Sequence, residues 1–346
     1  MNVTFMIGNG FDLKMGLKSK YTDIYNVYTD VNNKTDDAII ENFKEVLRND
    51  SPKYENWSDF EKAMGQYAKN FDNEKDFVKC IRDFRETMTN CLSKEQSVFI
   101  KKYLNSDKTS DALYNVFKDS LYNFYSDETP NTINKIEYME FRKNAYSFNF
   151  LNFNYTFILE KFINLFIKKD KRINAINHRI HIHGSLDDNI VLGVDNLEQL
   201  KTEFEITSSV KRTFVKPYFN EETDRQKIEL AKDIISKSNI ICVYGLSLGE
   251  TDLTWKNLIV EWLNKSNYHL LFYFSYPPTN IPLQKRDEIL DKEDELKKEL
   301  IQKLGIYDDQ DSNPIINQIH IPVTKDLFDI SSIDMNFPVN SDKELR

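Results

Sequence analysis

The 346-residue sequence predicts an α/β protein built on a doubly wound parallel sheet that carries a large helical insertion. Three observations predict it. Short apolar runs end abruptly in glycine or polar residues and give way to helical patterns; one of them, Asn239 to Tyr244, is apolar almost throughout, as in a strand buried on both faces. Between Asp36 and about Tyr125 the pattern is helical with no glycine-rich break. The length accommodates one large α/β domain with an insertion, or two domains.

The first run, Val3-Thr4-Phe5-Met6-Ile7, breaks into Gly8-Asn9-Gly10-Phe11-Asp12-Leu13, with Gly16 further on. Strand, glycine turn and helix start, in that order, make a nucleotide cradle. Glycines let the backbone turn sharply and approach a ligand, and the free N–H groups of a helix start attract phosphate oxygens. The spacing is G-x-G-x5-G rather than G-x-G-x-x-G, so the dinucleotide fingerprint is imperfect and a plain strand-to-helix turn explains the same residues.

Helical stripes follow. Ile39, Ile40, Phe43, Val46 and Leu47 share one face, and Ser58-x-x-Glu61 supplies a capping box after Trp57. Phe77, Ile81, Phe84, Met88 and Cys91 mark a long helix, and Leu113, Val116, Phe117, Leu121 and Phe124 another. Then the period changes. Tyr146 to Phe153 reads as a strand ending at Asn154-Tyr155-Thr156, before a helix carrying Ile158, Leu159, Phe162, Ile163 and Phe166. Arg179 to His183 alternates and stops at Gly184-Ser185, which puts His181 and His183 on one face; Asn239 to Tyr244 stops at Gly245, before a helix bearing Trp255, Leu258, Ile259 and Trp262. His269 to Phe274 and Gln318 to Ile321 are further strands, separated by a charged helix from Lys285 to Leu304. The division expected is an α/β nucleotide-binding domain over 1–30 and 140–330, a helical insertion over 31–139 and a polar tail over 331–346.

Composition excludes several classes. A net charge of -9 argues against a main task of gripping a nucleic-acid backbone. Cys80, Cys91 and Cys242 are far apart among apolar neighbours, which predicts buried thiols in a reducing compartment and no zinc knuckle. The first residues lack a signal-peptide pattern, and no apolar stretch approaches the ~20 residues of a membrane span. A soluble, cytoplasmic protein without membrane contact is expected.

In open α/β sheets ligands bind outside the carboxyl ends of the strands, where the strand order reverses. Four strands here finish in unusual residues: Gly8-Asn9-Gly10, Asn154-Tyr155-Thr156, His183-Gly184-Ser185 and Gly245-Leu246-Ser247. They converge on one crevice. Singly, each has a plainer reading: Asn154 or Thr156 serves as a helix cap, Asp12 complements a helix dipole, and Ser247, Thr251 or Asp252 caps the Trp255 helix. His178, His181 and His183, with Asp187 and Asp188, invite a metal reading, but with five histidines in all and no ligand-like spacing at His269 or His320, no metal is expected.

Together the motifs carry a resemblance. Gly8-Asn9-Gly10-Phe11-Asp12-Leu13 with Gly16-Leu17 and Tyr21, Trp57-Ser58-Asp59-Phe60-Glu61, His181-Ile182-His183-Gly184-Ser185-Leu186 running to Val191-Leu192-Gly193-Val194-Asp195, and Gly245 to Asp252 resemble the motifs of the bacteriophage abortive-infection AbiH family, in order and over nearly the whole chain. At greater distance the landmarks are similar to the sirtuin-like, Rossmann-like domain of bacterial defence NAD hydrolases, with Gly8-Asn9-Gly10, Asn154-Tyr155, His183-Gly184-Ser185 and Gly245-Leu246-Ser247 at its corresponding positions. Asn9 and Asp12 depart from that pattern, and the cysteine zinc module of deacylating sirtuins is replaced by the helical insertion, which argues against protein deacylation.

The resemblance implies a defence effector that hydrolyses NAD to nicotinamide and ADP-ribose and stays silent until a phage trigger, an oligomeric interface or the insertion releases it. His183 would accept a proton from a ribose hydroxyl or water and Asn154 would orient the same groups. Amides at Gly8, Gly10 and Gly16 would meet the pyrophosphate, with Asn9, Asp12, Tyr155, Gly184, Ser185 and Gly245 around the nucleotide and Ser247 on the adenosine ribose. Two other readings stay open: a nuclease-type toxin using His181 and His183, and a non-catalytic module that senses a nucleotide.

Overall fold

Strand-forming runs become six parallel strands, β1 (Asn2–Ile7), β2 (Ser147–Asn152), β3 (Ile176–His181), β4 (Ile240–Tyr244), β5 (Leu270–Phe274) and β6 (Ile319–His320). They lie in the order β3-β2-β1-β4-β5-β6. This computed structural model describes residues 1–50, 57–143, 146–170, 175–274, 276–306 and 315–336; of residues 50, 57–60 and 334–336 only the backbone is described. The Ser58 half of the expected capping box lies outside the described side chains.

Between the strands run α1 (Gly10–Lys14), α2 (Tyr21–Tyr28), α3 (Ala38–Asp50), α4 (Trp57–Tyr67), α5 (Glu74–Tyr103), α6 (Asp107–Tyr122), α7 (Pro130–Lys143), α8 (Ile158–Lys169), α9 (Ser208–Phe214), α10 (Lys216–Thr223), α11 (Arg225–Lys237), α12 (Leu253–Lys265), α13 (Arg286–Lys303) and α14 (Ser331–Asn336). Every strand is parallel to its neighbours, so each crossover must cover a face.

The two-residue strand period sorts the core. Val3, Phe5 and Ile7 face a layer built from α6, α8 and the last turns of α5, with Phe117 stacked 5.8 Å from Phe150. Met6, Ile241 and Val243 face α11, α12 and α13, where Trp262 is buried and its indole N–H donates to Ser238 O at 2.9 Å. The sheet is therefore covered on both faces, the doubly wound arrangement expected. A third core lies under α2, α3, α4 and the first half of α5, where Phe77, Ile81, Phe84 and Met88 pack against Phe214 and the 190–194 segment. Asn73 starts α5 by accepting the Asp76 N–H at 3.0 Å, and the 30-residue helix, about 45 Å long, runs from this third core to the sheet layer, where Phe99 and Tyr103 pack.

The helical stripes match the burial with five exceptions: Val46, Cys91, Val116 and Leu258 are half-buried and Ile39 is exposed. The expected polar tail begins as helix, and Ile333 of α14 is buried in the first core. Two strands differ from expectation: β6 is only Ile319–His320, and β3 starts at Ile176 and stops at His181, where a bend follows through Ile182, whose N–H still donates to Asn152 O at 2.7 Å, and His183.

The order reverses at β1, with β2 on one side and β4 on the other. There the two turns cross. Gly8 N–H donates to Tyr244 O and Gly10 N–H to Gly245 O, both at 2.9 Å. A Cβ on Gly10 would lie 2.5 Å from Gly245 Cα, and one on Gly8 would lie 2.6 Å from Gly245 O. Glycine is demanded by this backbone contact. Gly10→Ala should therefore lower unfolding free energy by on the order of 3 kcal/mol, read by denaturant unfolding.

Candidate functional site

Beside that crossing, at the carboxyl ends of the strands, opens a cavity of about 450 Å³. Of the residues singled out from the sequence it brings together Gly8, Asn9, Gly10, Asp12, Asn154, Tyr155, His183, Gly245 and Ser247. Of those expected to bind or cleave the nucleotide it leaves out three, Gly16, Gly184 and Ser185. Gly16, at φ +82°, ends α1: its N–H donates to Leu13 O and the Leu17 N–H to Asp12 O, the paired bonds of a left-handed helix stop. Gly184 and Ser185 form the turn that sends the chain back so that Val191 N–H reaches His183 O at 2.8 Å.

The amides of Gly8, Gly10 and Gly16, expected at a pyrophosphate, are all donated to carbonyls of the protein itself. The cations at the cavity mouth are instead the side chains of Lys20 and Lys303. Asn9 is also engaged: its Oδ1 accepts the Ser19 hydroxyl at 2.6 Å and its Nδ2 donates to Ser19 O at 3.1 Å, pinning the loop before α2 to the glycine turn.

Asn154 and Thr156 do not cap α8, which starts two or more residues later without a side-chain cap. Asn154 Nδ2 donates to Gly8 O at 3.1 Å, tying the end of β2 to the turn after β1. Thr156 Oγ1 lies 2.9 and 2.8 Å from the two carboxylate oxygens of Asp12, to which it donates. Burial raises the Asp12 pKa to about 7; the Thr156 hydroxyl opposes the rise, Glu160 adds to it and His181 opposes it. A carboxyl that titrates near neutrality thus lines the cavity.

His181 and His183 do not share a face, because the strand ends between them. His181 Nδ1 lies 2.9 Å from Asn154 O and its Nε2 2.9 Å from Glu160 Oε1, while Asn152 Nδ2 donates to the same Glu160 oxygen at 3.1 Å. Burial alone would lower the His181 pKa, but the Glu160 carboxylate raises it above the ordinary value. It braces the wall from behind. His183 enters the cavity itself, edge-on to Phe153 at 5.3 Å, with Phe153 in turn edge-on to Trp255. Burial first, then the ammonium groups of Lys216 and Lys227, hold its pKa well below the ordinary value, so the imidazole is neutral.

Sequence reasoning missed the charged floor. Lys216 Nζ lies 2.6 Å from Glu61 Oε2 and donates to Thr251 O at 3.3 Å, and both members of the pair are buried. Glu61 Oε1 accepts the Gly193 N–H at 3.1 Å. Burial alone would lower the Lys216 pKa, yet Glu61, Asp252 and Asp195 together raise it and keep the ammonium charged. Glu61 and Asp252 stand inside the quoted motifs, but nothing near Lys216-Pro217 in the sequence signals a partner 155 residues away. Lys216 and His183 also line a second cavity of about 590 Å³ and so form the partition between the two. Among the described residues no three His, Cys, Asp or Glu side chains are grouped to hold a metal ion, and Asp187 and Asp188 are exposed. Among them too, no helix is long and apolar enough to cross a membrane.

Fold and cavity define an α/β protein with a cleft at the topological switch point of a doubly wound sheet. The chain belongs to the bacteriophage abortive infection AbiH family, whose model matches residues 4–274. No curated protein matches it.

Two outcomes follow from the buried charges. Glu61→Gln alone strands a buried ammonium and should cost roughly 3–5 kcal/mol, whereas Glu61→Leu with Lys216→Met should cost far less than the sum of the single changes; denaturant unfolding of the three variants measures the coupling. Asp12 has an ordinary pKa of 3.8 and a folded value of about 7, so the folded state binds the extra proton between these values. The Asp12 contribution to stability falls as pH rises from about 4 to 7, by up to roughly 4 kcal/mol, and Asp12→Asn should remove that component, read as the difference between the wild-type and variant profiles of unfolding free energy across the range.

Proposed function

We propose that this chain is a phage-defence effector that hydrolyses the nicotinamide–ribose bond of NAD in the cleft at the crossing of the β1 and β4 turns. One observation carries the reading: Asn154, His183 and a carboxyl with a pKa of about 7, Asp12, line the same cavity at the place where doubly wound sheets bind nucleotides. The AbiH family membership and the sirtuin-like order of motifs support it.

Cleavage moves the electron pair of the glycosidic C–N bond onto nicotinamide and leaves positive charge on the anomeric carbon. Water then adds to that carbon, and its proton must go to a base. Asp12 is tuned for the task, because a base titrating near the working pH combines a useful ionised fraction with proton affinity. The neutral imidazole of His183 accepts a hydrogen bond from a ribose hydroxyl, and Asn154, held by Gly8 O, orients the ribose or the water. Asp12 in its ionised form, with Asp252 beside the Glu61–Lys216 pair, supplies negative charge that would favour positive charge developing on the sugar. Ser247, on the exposed side, is placed for the far ribose. Such an activity must be restrained before infection, and the restraint would be lifted by a phage trigger or a change in assembly.

A nuclease built on His181 and His183 has less support, since His181 is engaged by Glu160 and is absent from the cavity lining.

The test is nicotinamide release from NAD by the purified protein, with and without lysate of infected cells. Turnover is expected in at least one condition. Asp12→Asn, His183→Ala and Asn154→Ala should each lower kcat about a hundredfold or more, and the wild-type rate should rise with pH through about 7 as Asp12 ionises, a limb that Asp12→Asn should lack. No release in either condition, with cellular NAD unchanged during infection, contradicts the proposal; tight binding of NAD without release would leave a sensing module.

A further inference from the structure

The cavity is wider than the chemistry requires. Asp12 and Asn154 follow β1 and β2, whereas Tyr273 belongs to β5, three strand positions from β2 in the sheet order. At the spacing of neighbouring strands that is a span of about 14 Å. Two riboses joined through a pyrophosphate fill such a span, and a mononucleotide does not.

The far wall has a separate origin. The AbiH family match ends at residue 274, yet Tyr276, Leu296, Glu299, Leu300 and Lys303 all line the cavity. On α13 the last four fall at positions i, i+3, i+4 and i+7, a single stripe along one helix face. Leu300 is buried in the second core and Leu296 packs against it, so the helix is anchored. Glu299 and Lys303 are exposed at the rim, and among the described residues neither forms an ion pair, although their i,i+4 spacing would suit one to the other. Tyr276 lies against the glycine turn: a Cβ on Gly10 would be 3.0 Å from Tyr276 Cβ. Tyr276 thus stands beside the glycine turn at the middle of the cavity, and α13 adds at the rim a carboxylate and an ammonium with no ion-pair partner among the described residues.

We infer that α13 and Tyr276 form the recognition wall for the adenosine diphosphate half of a dinucleotide, with Glu299 accepting from the base amine or ribose hydroxyls and Lys303 meeting a phosphate oxygen. The inference rests on the nucleotide reading above. It adds that ligand selectivity resides in a segment outside the family match. Because the wall contacts only the distal half, it discriminates between dinucleotide and mononucleotide and takes no part in bond cleavage.

Calorimetric titration of the full chain needs no turnover. ADP-ribose and nicotinamide mononucleotide are the probes, against the wild type and a Glu299→Gln/Lys303→Gln double variant, whose exposed positions leave folding intact. The Kd for ADP-ribose should rise about tenfold while that for nicotinamide mononucleotide stays the same. An equal rise for both ligands, or no rise for either, overturns the inference and leaves the nucleotide site standing. Failure of both ligands to bind the wild type overturns the nucleotide site and this wall with it.

Discussion

The crossing of the β1 and β4 turns is the constraint on which the remaining geometry depends. A parallel sheet whose order reverses at β1 sends the chain away in opposite directions from β1 and β4. The two departing turns must still pass within backbone contact. Gly10 N–H to Gly245 O and Gly8 N–H to Tyr244 O close that contact, and no side chain fits between them. The cleft opens because the turns part beyond it. Asn154 then fastens the end of β2 to the same point through Gly8 O, so three strand ends share one rigid junction.

Around this junction the fold buries more charge than packing would favour. Desolvating a carboxylate or an ammonium costs several kcal/mol even where a partner offsets it. Here Glu61 and Lys216 are buried together, Asp195 and Asp252 face the same ammonium, and the hydrogen-bond partner of the Asp12 carboxyl among the described residues is the Thr156 hydroxyl. The Glu61–Lys216 pair joins α4, in the helical layer, to the first residue of α10 and to the loop after β4. A change in how the helical layer sits would therefore reach the partition occupied by Lys216 and His183. Three polarities meet in the cleft as a result: a carboxyl near its titration point, a neutral imidazole and a fixed ammonium.

The sheet was legible because its strands are apolar runs ended by glycine or asparagine, and the convergence of four strand ends followed from the general rule for open α/β sheets. Roles at single positions were less legible. Gly16 reads as a ligand glycine by spacing and Gly184 by its place at a strand end, but left-handed backbone at a helix stop and at a tight turn demands glycine equally. For Asn154 the sequence leaves a cap open beside the ligand-orienting role, because it shows which residue precedes a helix and not which carbonyl, here that of Gly8, lies beside it in space. Alternation places His181 and His183 on one face only where the strand continues, and it stops at His181. Lys216 and the α13 wall were invisible for a simpler reason: their partners are brought from far along the chain, and periodicity carries no information about such contacts.

The central claim is that water adds to the anomeric carbon of a nucleotide held over Asp12. Hydrolysis in isotopically labelled water, followed by mass spectrometry of the products, addresses it directly. The account predicts ADP-ribose carrying a single labelled oxygen on its anomeric hydroxyl, with unlabelled nicotinamide. Label on a phosphate oxygen, as pyrophosphate cleavage would give, or recovery of intact NAD from the activated protein, would contradict it.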